Sequence, residues 1–144
     1  MVGYESALVA LIMNLYFEGR GEGEEGMRAI ADTVITRTHD ERWPNDVTEV
    51  ILQEKQFTWV QRKKVKDVGD LVELQASVLR SKQLGDKDLE AYRMACKIAI
   101  QALSEDCKPH HRFTHFHGIK SHGKRRHHRR GKGVIIGHHI YLRI

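Results

Sequence analysis

Apolar residues recur at three- and four-residue spacings through the first 38 positions, and this pattern restricts the fold more than any other feature of the sequence. A repeat of this period places apolar side chains on one face of a helix. The apolar positions are Leu8, Leu11, Ile12, Leu15 and Tyr16, followed by Met27, Ile30, Ala31, Val34 and Ile35. The sequence therefore predicts one helix over 4–18 and a second over about 24–38, separated at Gly19 and Gly21, since glycine commonly ends a helix.

The middle of the chain predicts further helices with weaker signals. Asn45 or Asp46 can cap a short third helix, because a side-chain oxygen before a helix accepts from its first backbone amides. A helix over 70–84 is a weaker prediction, and the residues just before it show no clear pattern. Asp88 is expected to cap a clearer helix over about 89–104.

The end of the chain changes character and predicts β-structure. Phe113–His117 alternates aromatic and polar residues, and Val134–Ile144 is rich in β-branched residues, so each predicts a strand. The residues between them form a basic, glycine-containing loop over about 120–133. We therefore predict an α+β, mainly α, fold: a helical body closed by a small C-terminal β-hairpin. A length of 144 residues fits one domain over 1–144.

The net charge of +5 is unevenly distributed along the chain. Residues 1–107 contain 14 Lys and Arg and all 19 Asp and Glu, a formal charge of −5, whereas residues 108–144 contain 10 Lys and Arg and no acid. Such an asymmetry indicates an anionic partner, which can be nucleic acid, membrane lipid or an anionic polymer.

Several classes of protein do not fit the composition. No apolar stretch approaches the roughly 18 residues of a membrane span. No Lys or Arg precedes Arg20, so the positive region that begins a signal peptide is missing. Cys96 and Cys107 are too few for a disulfide framework or a four-thiolate zinc site. We therefore expect synthesis in the cytoplasm with reduced thiols.

The segment most informative about chemistry is Glu18-Gly-Arg-Gly-Glu22. Glu18 falls at the C-terminal end of the first predicted helix, where backbone carbonyls disfavour a negative charge, and a partly apolar cleft would raise its pKa further. A carboxyl group that keeps its proton near neutral pH can act as a general acid. On local sequence alone, a solvated acid paired with Arg20 is the alternative interpretation.

Three ordered groups of motifs resemble the spore-cortex-lytic (SleB-like) family of cell wall hydrolases. The first covers Leu15–Ala31 with Thr36-Arg37, and resembles the family's E-A-R-G-E segment and the helix after it. The second is Pro44, a short helix and Gln56-Phe57-Thr58-Trp59. The third is Thr114-His-Phe-His117 with Ile136-Gly-His-His-Ile-Tyr141. The chain departs from the family pattern at Gly19, at Thr36, before Thr114 and in the basic stretch 124–132.

The resemblance implies cleavage of peptidoglycan glycan strands between N-acetylmuramic acid and N-acetylglucosamine on a lysozyme-like scaffold. Glu18 matches the family's catalytic glutamate. Family members are typically lytic transglycosylases, which need one acid/base, whereas a hydrolytic muramidase usually uses a second carboxylate. The sequence leaves both routes open, with the candidate second acids Glu22, Glu24, Glu25, Asp32 and Asp46. The first three are expected to be surface or helix-dipole residues.

The resemblance also predicts the residues that contact the sugars: Gln56, Phe57, Thr58, His115, His117 and Tyr141. An amide and a hydroxyl group suit hydrogen bonds to sugar substituents, and Phe57 or Trp59 can stack on a sugar face. The alternative interpretation is that Phe57, Trp59 and Tyr141 are core residues.

His115 and His117, two apart on a strand, could bind zinc together with His138 or His139. No H-E-x-x-H motif or cysteine pair accompanies them, so we predict no metal and no cofactor.

The basic segment Lys124–Lys132 allows two interpretations. In the first, it attracts an enzyme to anionic envelope lipids, which fits a monomeric phage endolysin made in the host cytoplasm and acting on the wall. In the second, the chain is a nucleic-acid-binding protein that uses this tail. The segment lacks the interleaved aromatic residues of a base-stacking surface, so we expect no specific nucleic acid.

Overall fold

The computed structural model describes residues 2–81, 85–104, 109–119 and 133–144. In these ranges, helices fill the N-terminal part of the chain and a small sheet follows. The helices are α1 (Val2–Gly19), α2 (Gly23–Thr38), α3 (Val47–Leu52), α4 (Thr58–Arg62), α5 (Val68–Arg80) and α6 (Asp86–Ala102). The strands are β1 (His115–Gly118), β2 (Val134–Ile136) and β3 (His139–Leu142). The predicted mainly α, α+β fold is confirmed.

Helix α1 lies at the centre of the body. It contacts α2, α3, α5 and α6. Its apolar residues continue around the helix rather than along one stripe, and Ala10, Leu11, Met13 and Leu15 have no exposed surface. A helix that is apolar on all sides is stable only when neighbours cover it. The surrounding helices therefore fix the C-terminal end of α1, where Glu18 lies.

The turn between α1 and α2 is short and depends on glycine. The backbone amide of Glu22 donates to the carbonyl oxygen of Gly19 at 2.9 Å. Gly21 has a φ of 91°, a left-handed conformation that glycine adopts without steric cost. The sharp reversal brings Glu18 and Glu22 to the same end of the helix pair.

The helix predictions differ from the structure mainly at their boundaries. The short third helix is confirmed, and Asp46 is its cap, with an oxygen 3.1 Å from the backbone nitrogen of Glu49. The cap predicted at Asp88 was wrong, because α6 begins earlier, after an extended Gly85. Asp88 instead lies in the first turn, where the helix dipole favours an acid.

The three strands form one antiparallel sheet in the order β1-β3-β2. The predicted single strand over 134–144 was therefore wrong, because the chain reverses at Gly137-His138 and divides it in two. Gly137 has a φ of 61°, which fits this tight turn. Most of the predicted basic loop, including Lys124–Lys132, lies outside the described residues. Among the described helices, none is long and apolar enough to cross a bilayer.

Candidate active site

Glu18 lies in the last turn of α1 and is half-buried. Burial raises the pKa of its carboxyl group, and the positive charge of Arg62 on α4 opposes this rise without cancelling it. The end of a helix adds the partial negative charge of its unpaired carbonyls. Glu18 therefore keeps its proton to a higher pH than a free carboxyl group does, as a general acid requires.

A buried hydrogen bond fastens α4 to α1 one helical turn before Glu18. The indole nitrogen of Trp59 donates to Asn14 Oδ1 at 2.7 Å, and both side chains are buried. The Trp59 ring also stacks on Phe17, with ring centroids 5.2 Å apart. Trp59 is only 1 % exposed. These contacts favour a core aromatic over a sugar-stacking residue and hold the backbone around Glu18 in place.

The predicted sugar-binding residues 56–58 fall into two groups. Gln56 and Thr58 are exposed, whereas Phe57 is 3 % exposed and packs near Phe116, with ring centroids 6.2 Å apart. The structure thus places Phe57 in the core, where its ring offers no open face to a sugar. Gln56 Oε1 accepts a hydrogen bond from Arg37 Nη1 at 2.9 Å.

Arg37 is a buried cation that joins three parts of the chain. Besides bonding Gln56, its Nε donates to the carbonyl oxygen of Thr114 at 2.7 Å, and its guanidinium lies 5.1 Å from the centre of the Trp43 ring. Burial lowers the pKa of Arg37 to about 10, and the charge of Arg42 adds to the effect. Arg37 therefore links α2 to the loop before α4 and to the segment entering β1.

Glu22, the second acid of the turn, is held by two histidines. Its side chain is 5 % exposed. Oε1 accepts from the backbone nitrogen of His138 at 2.8 Å and from His139 Nδ1 at 2.7 Å, while Oε2 accepts from His138 Nδ1 at 2.5 Å. Burial acts to raise the pKa of Glu22, but these hydrogen bonds and the nearby His139 outweigh it, so the pKa is lowered. Glu22 therefore remains a carboxylate and is unsuited to donate a proton.

Tyr141 is a core residue within electrostatic range of both acids. It is fully buried, and its hydroxyl group donates to the carbonyl oxygen of Gly26 at 3.3 Å. Burial raises the pKa of Tyr141 above its ordinary value, and the charges of Glu22 and Glu18 raise it further. The sequence left a choice between a sugar-contacting residue and a core residue, and the complete burial of Tyr141 favours the core residue.

The histidines of β1 differ in their contacts from the pair His138-His139, which lies at the end of the β2–β3 turn and the start of β3. His115 Nδ1 lies 2.8 Å from the hydroxyl oxygen of Thr114, and His117 Nδ1 lies 3.2 Å from the carbonyl oxygen of Gly118. His138 and His139 instead bind Glu22. Within the described residues, no three His, Cys, Asp or Glu side chains are grouped to hold a metal ion.

Asp32, another candidate second acid, is buried and bound to backbone amides. Its Oδ2 accepts from the nitrogens of His110 and His111 at 3.0 and 3.2 Å. Burial raises the pKa of Asp32, and these amides and the histidine charges oppose the rise. Asp32 therefore fastens the segment before β1 to α2.

The remaining candidate second acids have other contacts or are exposed. Asp46 caps α3. Glu24 lies 3.3 Å from the ammonium group of Lys97, and Glu25 is exposed in the first turn of α2. The sequence interpretation of Glu24 and Glu25 as surface or helix-dipole residues agrees with these positions. Glu22 is the N-cap residue of α2, which agrees with a helix-dipole residue, but its side chain is only 5 % exposed, so the surface alternative was wrong for it.

An open cavity of about 310 Å³ adjoins the end of α1. Phe17 and Arg20, which flank Glu18 in the sequence, contribute to its lining, as do Lys63 on the loop after α4 and Asp88 on α6. A second cavity of about 590 Å³ along α5 shares Lys63 with it. Glu18 lines neither of these two cavities, so they lie beside the acid rather than around it.

The chain matches a known protein family. A family model described as cell wall hydrolase matches residues 21–142. The matched range begins three residues after Glu18 and includes Glu22, Tyr141 and the histidines of the β2–β3 turn. No curated protein and no solved structure matches the chain.

Proposed function

This chain belongs to the cell wall hydrolase family, and on that basis we propose that it cleaves peptidoglycan glycan strands with Glu18 as general acid/base. The family makes it an enzyme that acts on the cell wall, with peptidoglycan as substrate. The proposed bond lies between N-acetylmuramic acid and N-acetylglucosamine. The matched range does not include Glu18, so its role depends on the surroundings of its carboxyl group.

The contrast between Glu18 and Glu22 is the observation that carries the proposal. Breaking a glycosidic bond requires a proton on the leaving oxygen, which a carboxyl group with a raised pKa can supply. Burial raises the pKa of Glu18, whereas hydrogen bonds lower that of Glu22. Of these two neighbouring acids, Glu18 is therefore the one that stays protonated closer to neutral pH.

The surroundings of the other acids favour a mechanism with one carboxyl group. Both oxygens of Glu22 accept hydrogen bonds, Asp32 binds backbone amides, and Asp46 caps a helix. In the route of a lytic transglycosylase, Glu18 protonates the glycosidic oxygen as the bond to C1 breaks. The resulting carboxylate then removes the proton of the substrate's own 6-hydroxyl group as its oxygen bonds to C1. The products are a free hydroxyl end and a 1,6-anhydro end, and Glu18 regains its proton.

The test is a comparison of Glu18→Gln with wild type on purified peptidoglycan. An amide cannot donate the proton, so we expect cleavage to fall by roughly 10²–10⁴-fold. Glu49→Gln is the matched control, because Glu49 is an exposed glutamate on α3. Mass spectrometry of the products should show 1,6-anhydro ends. Unchanged cleavage by Glu18→Gln would reject the role of Glu18, and reducing ends would indicate a hydrolytic muramidase instead.

The biological setting stays a prediction of the sequence. It comprises a phage endolysin, made in the host cytoplasm and working as a monomer, whose basic segment Lys124–Lys132 binds anionic envelope lipids. The positive charge of residues 108–144 supports such an attraction. The competing interpretation, nucleic-acid binding by the same segment, predicts salt-dependent binding without any requirement for Glu18.

A further inference from the structure

The carboxylate of Glu22 joins the two ends of the chain at one point. Three donors from two consecutive residues, the backbone amide of His138 and the ring nitrogens of His138 and His139, bind its two oxygens. Glu22 and these residues are 116 and 117 positions apart in the sequence. Because a carboxylate only accepts hydrogen bonds, both imidazole rings carry a proton on Nδ1. We name Glu22, His138 and His139 the Glu22 clamp.

The β2–β3 turn fits closely against Glu22. A Cβ atom added at Gly137 would lie 2.8 Å from Glu22 Oε1 and 3.2 Å from its carboxyl carbon. The left-handed φ of 61° at Gly137 is a second reason for glycine at this position. The missing side chain therefore lets the turn approach the carboxylate closely enough for all three donors to reach it.

The clamp leads directly into the strand that carries Tyr141. His139 begins β3, and Tyr141 lies two residues further on, where it bonds the first turn of α2 through Gly26. Phe116 on β1 packs on both rings, with centroid distances of 5.2 Å to His139 and 5.3 Å to Tyr141. Glu22 thus forms one of the direct contacts between the sheet and the turn after α1.

We propose that Glu22 is a positioning residue for the reaction of Glu18: its carboxylate fastens the β2–β3 turn, and with it β3 and Tyr141, to the end of α1. This inference rests on the proposed function of Glu18. It assigns Glu22 a role different from that of a second catalytic acid, since the oxygens of Glu22 are already bound by the clamp.

The first experiment measures the clamp without using activity. Long-range proton–nitrogen NMR of the histidine rings in the wild-type protein should show a proton on Nδ1 of both His138 and His139. Glu22→Gln should shift both sets of ring signals, whereas the exposed Glu49→Gln should leave them unchanged. Rings with a bare Nδ1 in the wild type would overturn the proposal.

The second experiment separates positioning from direct catalysis. We expect Glu22→Gln to lower kcat by roughly 10–100-fold, since small displacements in an active site have effects of that size, with KM changed by less than about twofold. Gly137→Ala leaves the Glu22 carboxylate intact but crowds it, and should lower kcat similarly. The double variant should be little worse than either single variant, because both changes break one contact. Gly118→Ala is the control, since a Cβ there meets nothing within 4 Å.

The outcomes distinguish this proposal from the proposed function. If Glu18→Gln is inactive while folded Glu22→Gln and Gly137→Ala keep wild-type kcat, the positioning role is overturned and the function of Glu18 stands. If only Glu22→Gln loses activity and Gly137→Ala does not, Glu22 acts directly and the positioning role is again overturned. If the wild type cleaves no glycan, the proposed function fails, and the NMR measurement still tests the clamp. If Glu22→Gln does not fold, the kcat of Gly137→Ala and the histidine ring signals of the wild type still test the positioning role.

Discussion

Glu18 and Glu22 stand at the two ends of one short turn, yet their surroundings shift their pKa values in opposite directions. Glu18 is half-buried at the end of α1, and burial raises its pKa. Glu22 is only 5 % exposed, but three donors from the β2–β3 turn bind it and lower its pKa. Burial therefore does not decide the charge of a carboxyl group by itself. Hydrogen bonds to the charged form can outweigh burial, as they do at Glu22, whereas at Glu18 burial prevails.

The difference follows from what each region of the molecule supplies. The helical body buries Glu18 at the carbonyl end of α1, and among the described residues the influences on its pKa are burial and the charge of Arg62, with no hydrogen-bond donor. The sheet contributes a turn whose amide and imidazole groups point at Glu22. Two acids with divergent pKa values suit two roles, proton donor and fixed anion.

The largest expected effect of the difference between Glu18 and Glu22 is on the pH dependence of cleavage. Glu18 must be protonated to act, so the rate should fall by about tenfold per pH unit above its raised pKa. Initial rates on purified peptidoglycan from about pH 4 to about pH 9, at fixed ionic strength, would show this alkaline limb. The limb should lie above the ordinary glutamate value of 4.5. A rate that rises steadily through alkaline pH would contradict the assignment.

The next largest effect is on stability. Replacing Glu18 and replacing Glu22 should change Tm at neutral pH in opposite directions. Because the folded-state pKa of Glu18 is raised, its contribution is full below the ordinary value of 4.5 and is lost as the pH rises through the raised pKa. Glu18→Gln should therefore raise Tm at neutral pH and have little effect in acid. The pKa of Glu22 is lowered, so its contribution is present above 4.5 and is lost as the pH falls through the lowered pKa.

Glu22→Gln should accordingly lower the free energy of unfolding at neutral pH. Hydrogen bonds to charged groups contribute roughly 1.5–3 kcal/mol each, and an amide keeps some of them, so we expect a net loss of about 1–3 kcal/mol. In a protein of this length each kcal/mol corresponds to roughly 2–4 °C in Tm. Calorimetry of Glu18→Gln and Glu22→Gln at neutral and acid pH would measure these changes in Tm, with Glu49→Gln as the control. Changes of the same sign in the two variants would remove the contrast between the two sites.

The sequence predicted the parts of this contrast that depend on local patterns. The apolar period places Glu18 at the end of α1, and glycines mark the turn after it. Asp46 was identified as one of two candidate caps, because the interaction with the backbone of Glu49 spans only three residues. Local propensity and periodicity act within one or two helical turns, so they indicate such elements well.

The missed features depend on residues that are distant in sequence. Val134–Ile144 looks like one strand because β-branched residues lie on both sides of Gly137, and only the antiparallel pairing of β2 with β3 shows where it divides. Glu22 was expected on the surface because the donors that bury it lie more than 100 residues away. The burial of Glu18 likewise depends on packing that no local pattern contains. The consecutive His138-His139 in the last motif is the sequence signal for these donors, and on its own it fits a metal site equally well.

The smallest effect tests the opposing charge at Glu18. Arg62 is exposed on α4, and its positive charge lowers the pKa of Glu18 against the effect of burial. Arg62→Gln should therefore move the alkaline limb upward. The shift should be a few tenths of a pH unit, because an exposed charge pair is worth roughly 0.2–1 kcal/mol and one pKa unit corresponds to about 1.4 kcal/mol. Arg93→Gln, an exposed arginine on α6, removes the same charge as a control.

Salt provides an independent check of the same interaction. The screening length is about 10 Å at 0.1 M ionic strength and about 3 Å at 1 M, so high salt should shift the wild-type limb toward that of Arg62→Gln. The variant itself should change less with salt, because the charge that salt screens is already gone. A limb that Arg93→Gln moves equally would show that the overall charge of the protein, rather than Arg62, causes the shift. A limb that Arg62→Gln leaves in place at low salt would show that burial sets the pKa of Glu18 without this charge. The contrast with Glu22 would then reduce to the presence or absence of hydrogen-bond donors.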